Sequence, residues 1–200
     1  MKLDILVTAA HPDDAELGCG GTIISHVEMG RKVGIADFTR GEMSTRGTPE
    51  IRDKQAKAAG KILGLSVREN LGFADVFFKN DDQHCLALIK LIRKYKPEIV
   101  LTSAMQDRHP DHRKCAELTV RACFLSGLQK IETLAPLDLP GGGKQEVHLR
   151  GGNKKSPLPR LHRDRRGDLG GLQDAWRPKA LYHYIQDRYI KPDFVVDITP

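Results

Sequence analysis

Residues 3–22 read LDILVTAAHPDDAELGCGGT, and the order of that stretch decides the fold. Leu3 to Ala10 is an apolar, strand-like run that passes directly into His11-Pro12-Asp13-Asp14. Gly18-Cys19-Gly20-Gly21 follows, and a helical pattern occupies Thr22 to Met29. An apolar strand that ends in a polar loop and continues as a helix is the repeating unit of a parallel sheet covered on both faces.

The unit recurs downstream. Val33 to Thr39 reads as a second strand, and Thr48-Pro49 offers an N-cap with proline at the first helical position, opening a helix to about Leu63 that Gly64 stops. Asp81-Asp82 start another helix, with Leu88, Leu91, Ile92 and Tyr95 on one face and Lys96-Pro97 at its end. Ile99 to Thr102 is a short apolar strand that leads through His109-Pro110-Asp111-His112 into a helix reaching about Leu125. Lys179 to Gln186 and Asp193 to Ile198 read as two further strands. The expectation is a Rossmann-like α/β fold: a mostly parallel sheet with helices on both faces, one domain over residues 1–200, and function beyond the carboxyl ends of the strands.

Composition agrees with one soluble globular domain: 200 residues, 40% hydrophobic and 29% charged. No apolar run approaches the roughly 20 residues needed to cross a bilayer, and the N-terminus lacks the pattern of a cleavable signal. A cytoplasmic protein with no membrane partner is expected. Cys19, Cys85, Cys115 and Cys123 form no CxxC pair and read as free thiols, Cys19 as a small buried residue. Net charge is +6, and residues 135–174 carry eight Lys or Arg against five Asp or Glu, half of the whole excess. That Gly-, Pro- and Lys/Arg-rich stretch reads as a long mobile insertion. It interleaves no aromatic residues with its charges, as a nucleic-acid stacking platform requires. Gly18-Cys19-Gly20-Gly21 is not GxGxxG, which argues against a dinucleotide site. The chain stops at Pro200 straight after an expected strand, which reads as a truncated C-terminus.

The chemistry lies in the two His-Pro loops. His11 and Asp14 stand three residues apart at one strand end, and His109-Pro110-Asp111-His112 sits at another, where right-handed crossovers bring such loops together. His and Asp are ordinary zinc ligands, and two loops supply three ligands with water in the fourth position. Either loop alone is weak, since His and Asp are common in turns and caps; near-identical loops at equivalent junctions are not explained by turn chemistry. Of the adjacent aspartates, one binds metal and the other takes the proton of the attacking water. His109, not needed as a ligand, is placed to steady an oxyanion or protonate a leaving amine. His/Asp/His suits Zn2+, with Fe2+ or Mn2+ as alternatives.

Five segments resemble the LmbE-like (PIG-L) deacetylases, and among them the bacillithiol-biosynthesis enzymes that act on N-acetylglucosaminyl-malate: AHPDDAELGCGGT (Ala10 to Thr22), TRGEMSTRGTPEIR (Thr39 to Arg52), ENLGFAD (Glu69 to Asp75), DRHPDH (Asp107 to His112) and WRPKALYHYIQD (Trp176 to Asp187). The resemblance covers Met1 to about Leu134 and resumes near Ala175; residues 135–174 have no counterpart in it, and family members extend beyond Pro200. It implies His11, Asp14 and His112 as metal ligands, Asp13 as general base and His109 as charge stabiliser. It further implies that Arg52 and Asp75 hold sugar hydroxyls, that Arg108 lies near the acidic aglycone, and that Tyr184 lies near the developing oxyanion. The expected partner is a small amino-sugar, and a homo-oligomer is compatible with the resemblance. Arg40 and Arg46 lie in the same loops and read as surface charges. N-acetylglucosamine, chitooligosaccharides and acetylated thiol conjugates present the same amide. Other classes are a nucleotide or nucleic-acid binder and an inactive scaffold.

Overall fold

The computed structural model describes residues 1–133, 171–186 and 190–199. The basic insertion expected at 135–174 therefore lies outside the described residues except for 171–174. The elements are β1 (Ile5–Ala9), α1 (Asp14–Glu28), β2 (Val33–Asp37), α2 (Pro49–Ile62), β3 (Val67–Asn70), α3 (Asp82–Tyr95), β4 (Ile99–Ser103), α4 (Pro110–Leu125) and β5 (Ala180–Tyr184). The five strands form one sheet in the order β3-β2-β1-β4-β5, every neighbouring pair parallel.

Alternate side chains along each strand enter opposite faces of a sheet. In β1, Leu6 joins a core with Ala36, Val100 and the apolar faces of α3 and α4. Ile5, Val7 and Ala9 join a second core with Val33, Ile35, Leu63, Tyr184 and the α1 residues Ala15, Cys19 and Ile23. Helices thus cover both faces, and burying each such aliphatic side chain contributes about 1.5–3 kcal/mol. Among the described residues no helix is long and apolar enough to cross a membrane.

Local signals set the helix ends. Thr48 accepts a hydrogen bond from Ile51 N and Pro49 begins α2. Lys96 closes α3 in a left-handed conformation before Pro97. The first helix begins earlier than expected, at Asp14 rather than Thr22, and the glycine-flanked Cys19 is a non-helical break inside it (φ −149°, ψ 24°). Gly18 is required there by packing: a Cβ on it would lie 2.4 Å from Tyr184 Cδ2.

The sheet gains one strand that the sequence pattern does not mark, β3, and lacks one that it does. β3 has one apolar residue in VREN; Arg68 on it binds Asp37 of β2 through Nε (2.7 Å) and Nη2 (3.0 Å) and reaches Glu16 of α1. Asp193 to Ile198 is not a strand. It finds no strand partner, and its apolar side chains lie on neighbouring surfaces instead, Phe194 edge-on to Tyr182 at 5.2 Å and Ile198 over Gly21.

The chain runs outward from β1 through β2 to β3, then returns to place β4 on the other side of β1. The crevice between the carboxyl ends of β1 and β4 is thus the topological switch point, where such sheets bind ligands. Ile5 pairs with Ile99 and Val7 with Leu101, so the loops that follow these strands emerge side by side.

Candidate metal centre

His11 to Asp14 follows β1 and His109 to His112 follows β4, so the sheet register brings both His-Pro loops to the switch point. Asp14 stands between the two imidazoles: its Oδ2 is 3.3 Å from His11 Nδ1 and its Oδ1 is 3.1 Å from His112 Nε2. The side chains of His11, Asp14 and His112 are 12%, 4% and 7% exposed. His109 completes a three-imidazole cluster, its ring centroid 4.7 Å from that of His11 and 4.9 Å from that of His112. Donor atoms of His11, His109 and His112 lie close enough together to hold one ion, as do those of His11, Asp75 and Asp111.

Charge follows this packing. Burial opposes ionisation of His11, but the Asp14 carboxylate beside it, with Asp75 and Asp111 beyond, raises it to about 9. Burial likewise opposes charge on His112, and Asp14 and Asp107 outweigh it, while the two imidazoles hold Asp14 far below the usual carboxylate range. His109 is pushed down, by burial first and then by repulsion from His11 and His112. It caps α4 by accepting the Asp111 N–H through Nδ1 (3.2 Å). A neutral ring whose Nδ1 accepts carries its proton on Nε2, so His109 is a donor there.

Asp13 differs from its neighbour. It occupies the N-cap of α1 yet makes no capping hydrogen bond, and its side chain is 53% exposed. Burial of its inner part and the nearby Asp14 charge raise its pKa, against Arg52, which lowers it. Arg52 Nη2 lies 3.3 Å from both Asp13 Oδ2 and Pro12 O. Its guanidinium crosses Gly41, which has φ +65°, and a Cβ on Gly41 would stand 2.5 Å from Arg52 Nε. Arg40 is bound to Asp53, its Nε 3.1 Å from Oδ1. Arg108 is exposed in the β4–α4 loop, next to His109.

Two further expected site residues, Tyr184 and Asp75, are buried. Tyr184 is 7% exposed in the core beneath α1, and its hydroxyl donates to Thr8 O at 3.1 Å with Ser103 Oγ at 3.3 Å, so the phenol ties β5 to β1 and β4. Asp75 is 5% exposed, with Oδ2 accepting from Met43 N (3.0 Å) and Oδ1 facing His11 Nε2 (3.1 Å). Oδ2 is thus engaged by the chain itself, while Oδ1 is buried without a hydrogen bond.

Three residues at the site carry no local signal. Asp107 meets His112 Nδ1, Asp111 lies 3.5 Å from His11 Nε2, and Gln186 Nε2 donates to Asp14 Oδ1 at 3.1 Å. Asp107 and Gln186 fall inside the DRHPDH and WRPKALYHYIQD segments, but only the folded chain gives them partners.

Two buried imidazoles around a buried carboxylate suit a divalent cation, and unpaired polar atoms gather beside them. Five buried side-chain polar atoms among the described residues lack a hydrogen-bond partner, and four of them belong to residues of this site: Arg52 Nε, Asp75 Oδ1, His112 Nδ1 and Gln186 Oε1. Buried polar groups are paired in nearly all folded proteins, so a cluster of orphans marks a place built for a ligand.

A parallel α/β domain with a His/Asp cluster at its switch point offers donors that could hold a metal ion. Residues 6–123 match the PIG-L family, GlcNAc-PI de-N-acetylase, and the chain belongs to it. Diacetylchitobiose deacetylase of Thermococcus kodakarensis is 30% identical over 147 residues, covering 67% of this chain and 55% of that protein. The Bacillus subtilis protein named Probable N-acetyl-alpha-D-glucosaminyl L-malate deacetylase 2 is 31% identical over 137 residues, 62% of each chain. A 4-oxalmesaconate hydratase of Pseudomonas putida is 28% identical over 134 residues, 60% of this chain and 52% of that one. Among solved structures, the conserved protein TT1542 from Thermus thermophilus superposes with a TM-score of 0.75 at 35% identity, covering 98% of this chain and 72% of that chain. The chain thus spans between 52% and 62% of the length of these three curated relatives.

Proposed function

We propose that the chain is a metal-dependent N-deacetylase of N-acetylglucosaminyl conjugates, acting on N-acetylglucosaminyl-malate and releasing acetate and the free amine. One observation carries the reading: two imidazoles from separate loops converge on the buried Asp14, and a second, half-exposed carboxylate, Asp13, stands beside it with Arg52. In this reading His11, Asp14 and His112 hold the cation, with zinc the first choice and Fe2+ or Mn2+ compatible with the same donors.

Held by His11, Asp14 and His112, a divalent cation would polarise the amide carbonyl and would make water acidic enough to attack near neutral pH. Asp13, not engaged by a cap, takes the proton of that water, and its raised pKa suits passing the proton on. Arg52 keeps the Asp13 carboxylate oriented and presents its remaining guanidinium face toward the sugar. His109, neutral and protonated on Nε2, donates to the oxygen that gains charge as the carbonyl carbon becomes tetrahedral. Collapse returns a proton to the nitrogen and leaves acetate and a primary amine. Arg108, exposed at the rim, suits an acidic aglycone such as malate, whose carboxylates match a guanidinium fork.

The test is acetate release from N-acetylglucosaminyl-malate, N-acetylglucosamine and diacetylchitobiose under one set of conditions. Preference for the malate conjugate, lost in Arg108→Ala, supports the assignment; equal turnover of all three keeps deacetylation and removes malate recognition. The hydratase relative favours a second reading, addition of water to a carbon–carbon double bond at the same site. Turnover of an unsaturated dicarboxylate without any deacetylation would establish it.

A further inference from the structure

The nitrogen of each ligand imidazole that points away from Asp14 faces another buried carboxylate. His112 meets Asp14 through Nε2 and presents Nδ1 to Asp107 Oδ1 at 3.0 Å. His11 meets Asp14 through Nδ1 and presents Nε2 to Asp75 Oδ1 at 3.1 Å. The side chains of Asp107 and Asp75 are 2% and 5% exposed. Each accepts a backbone N–H: His109 N donates to Asp107 Oδ1 (2.8 Å), the oxygen that also faces His112, and Met43 N donates to Asp75 Oδ2 (3.0 Å). Asp111, the other carboxylate near His11, is already engaged by Lys114 Nζ (2.9 Å) and Val76 N (3.0 Å).

A neutral imidazole has one N–H and one lone pair. A carboxylate that takes the N–H of one nitrogen directs the lone pair to the other, fixes the ring and raises the basicity of the donor nitrogen. His112 Nδ1 and Asp75 Oδ1 are buried without a hydrogen bond although Asp107 and His11 stand 3.0 and 3.1 Å away, so each has one partner within reach.

We propose that Asp75 and Asp107 are paired positioning residues that lock His11 as an Nδ1 donor and His112 as an Nε2 donor toward a cation shared with Asp14. The proposal rests on the metal reading above. It gives Asp75 a role its burial permits, and it gives Asp107 a function beyond its place in the loop.

The experiment uses the full chain and zinc alone. Zinc affinity is measured by competition with a chromophoric chelator for the parent and for Asp75→Ala, Asp75→Asn, Asp107→Ala and Asp107→Asn. Imidazole N–H protons of the zinc-loaded proteins are followed by NMR. The alanine variants are expected to bind zinc about 10–100-fold more weakly. The asparagine variants, which keep an acceptor oxygen and the loop contacts, lose less. Asp107→Ala is expected to abolish the His112 Nδ1–H signal and Asp75→Ala that of His11 Nε2–H, effects that mere loosening of the fold would not divide by residue. Parent-like zinc affinity in all four variants, or both N–H signals intact in the alanine variants, overturns the proposal. A parent that binds no zinc overturns the metal reading itself.

Discussion

The amide of Gln186 donates a 3.1 Å hydrogen bond to Asp14 Oδ1, joining residues 172 positions apart. Asp14 Oδ2 is held by the His11 N–H at 2.8 Å, so the carboxylate at the centre of the cluster is gripped from its own loop and from the end of β5. The last strand therefore contributes to the site as well as to the sheet. A hydrogen bond to a charged group contributes about 1.5–3 kcal/mol, so Gln186→Ala should weaken zinc binding by roughly tenfold or more. Chelator competition measures this.

Asp13 and His112 should separate binding from turnover. Asp13→Asn is expected to retain one equivalent of zinc by elemental analysis while acetate release falls about 10²–10⁴-fold, the range for loss of a general base. His112→Ala should lose the metal. Parent-like turnover in Asp13→Asn would remove the proposed base.

Gly18→Ala should destabilise the fold. The new Cβ would stand 2.4 Å from Tyr184 Cδ2 and 2.7 Å from Cε2, in a core where the ring is pinned by Thr8. Overpacking of this kind costs about 1–3 kcal/mol. Urea unfolding should show it, and trimming the ring with Tyr184→Leu should recover part of the loss.

Arg93 is 2% exposed and bonds the carbonyls of Ser126 (3.0 Å), Leu128 (2.8 Å) and Ile131 (2.6 Å) together with Thr133 Oγ1 (2.9 Å). It satisfies the C-terminal end of α4 and the turn beyond it, where helix carbonyls lack partners. Arg93→Met leaves these acceptors unpaired and should cost about 3 kcal/mol or more, since each buried orphan costs about 1–3 kcal/mol. Chemical denaturation measures the change.

Burial pushes the thiols of Cys19, Cys115 and Cys123 up to about 12 from an ordinary value near 9. Between these values the unfolded chain releases protons that the folded chain keeps, so stability falls with rising pH. It is complete below pH 9 and lost progressively toward pH 12. Urea midpoints at pH 8, 9.5 and 10.5 should decline, and Cys115→Ala should flatten the decline.

The parallel fold was legible because β1, β2 and β4 are buried on both faces and so read as continuous apolar runs. Val67–Asn70 escaped because Arg68 enters the sheet face as the partner of Asp37, a contact invisible to hydrophobic periodicity. Asp193 to Ile198 has the aromatic and β-branched residues of a strand, but composition supplies no partner, and the segment lies across neighbouring side chains. At the site, His11, Asp13, Asp14, His109 and His112 stood out because each loop holds its residues within four positions. Asp111 and Gln186 meet residues of other loops, Asp107 meets His112 within its own, and the burial of Asp75 and Tyr184 is set by packing.

The most direct test strips the full chain of metal, reconstitutes it with zinc, and follows acetate release from N-acetylglucosaminyl-malate. Negligible release without metal, restored by one equivalent of zinc and abolished by His112→Ala, is the predicted result. Release that persists in the stripped protein, or that survives His112→Ala unchanged, would contradict the account.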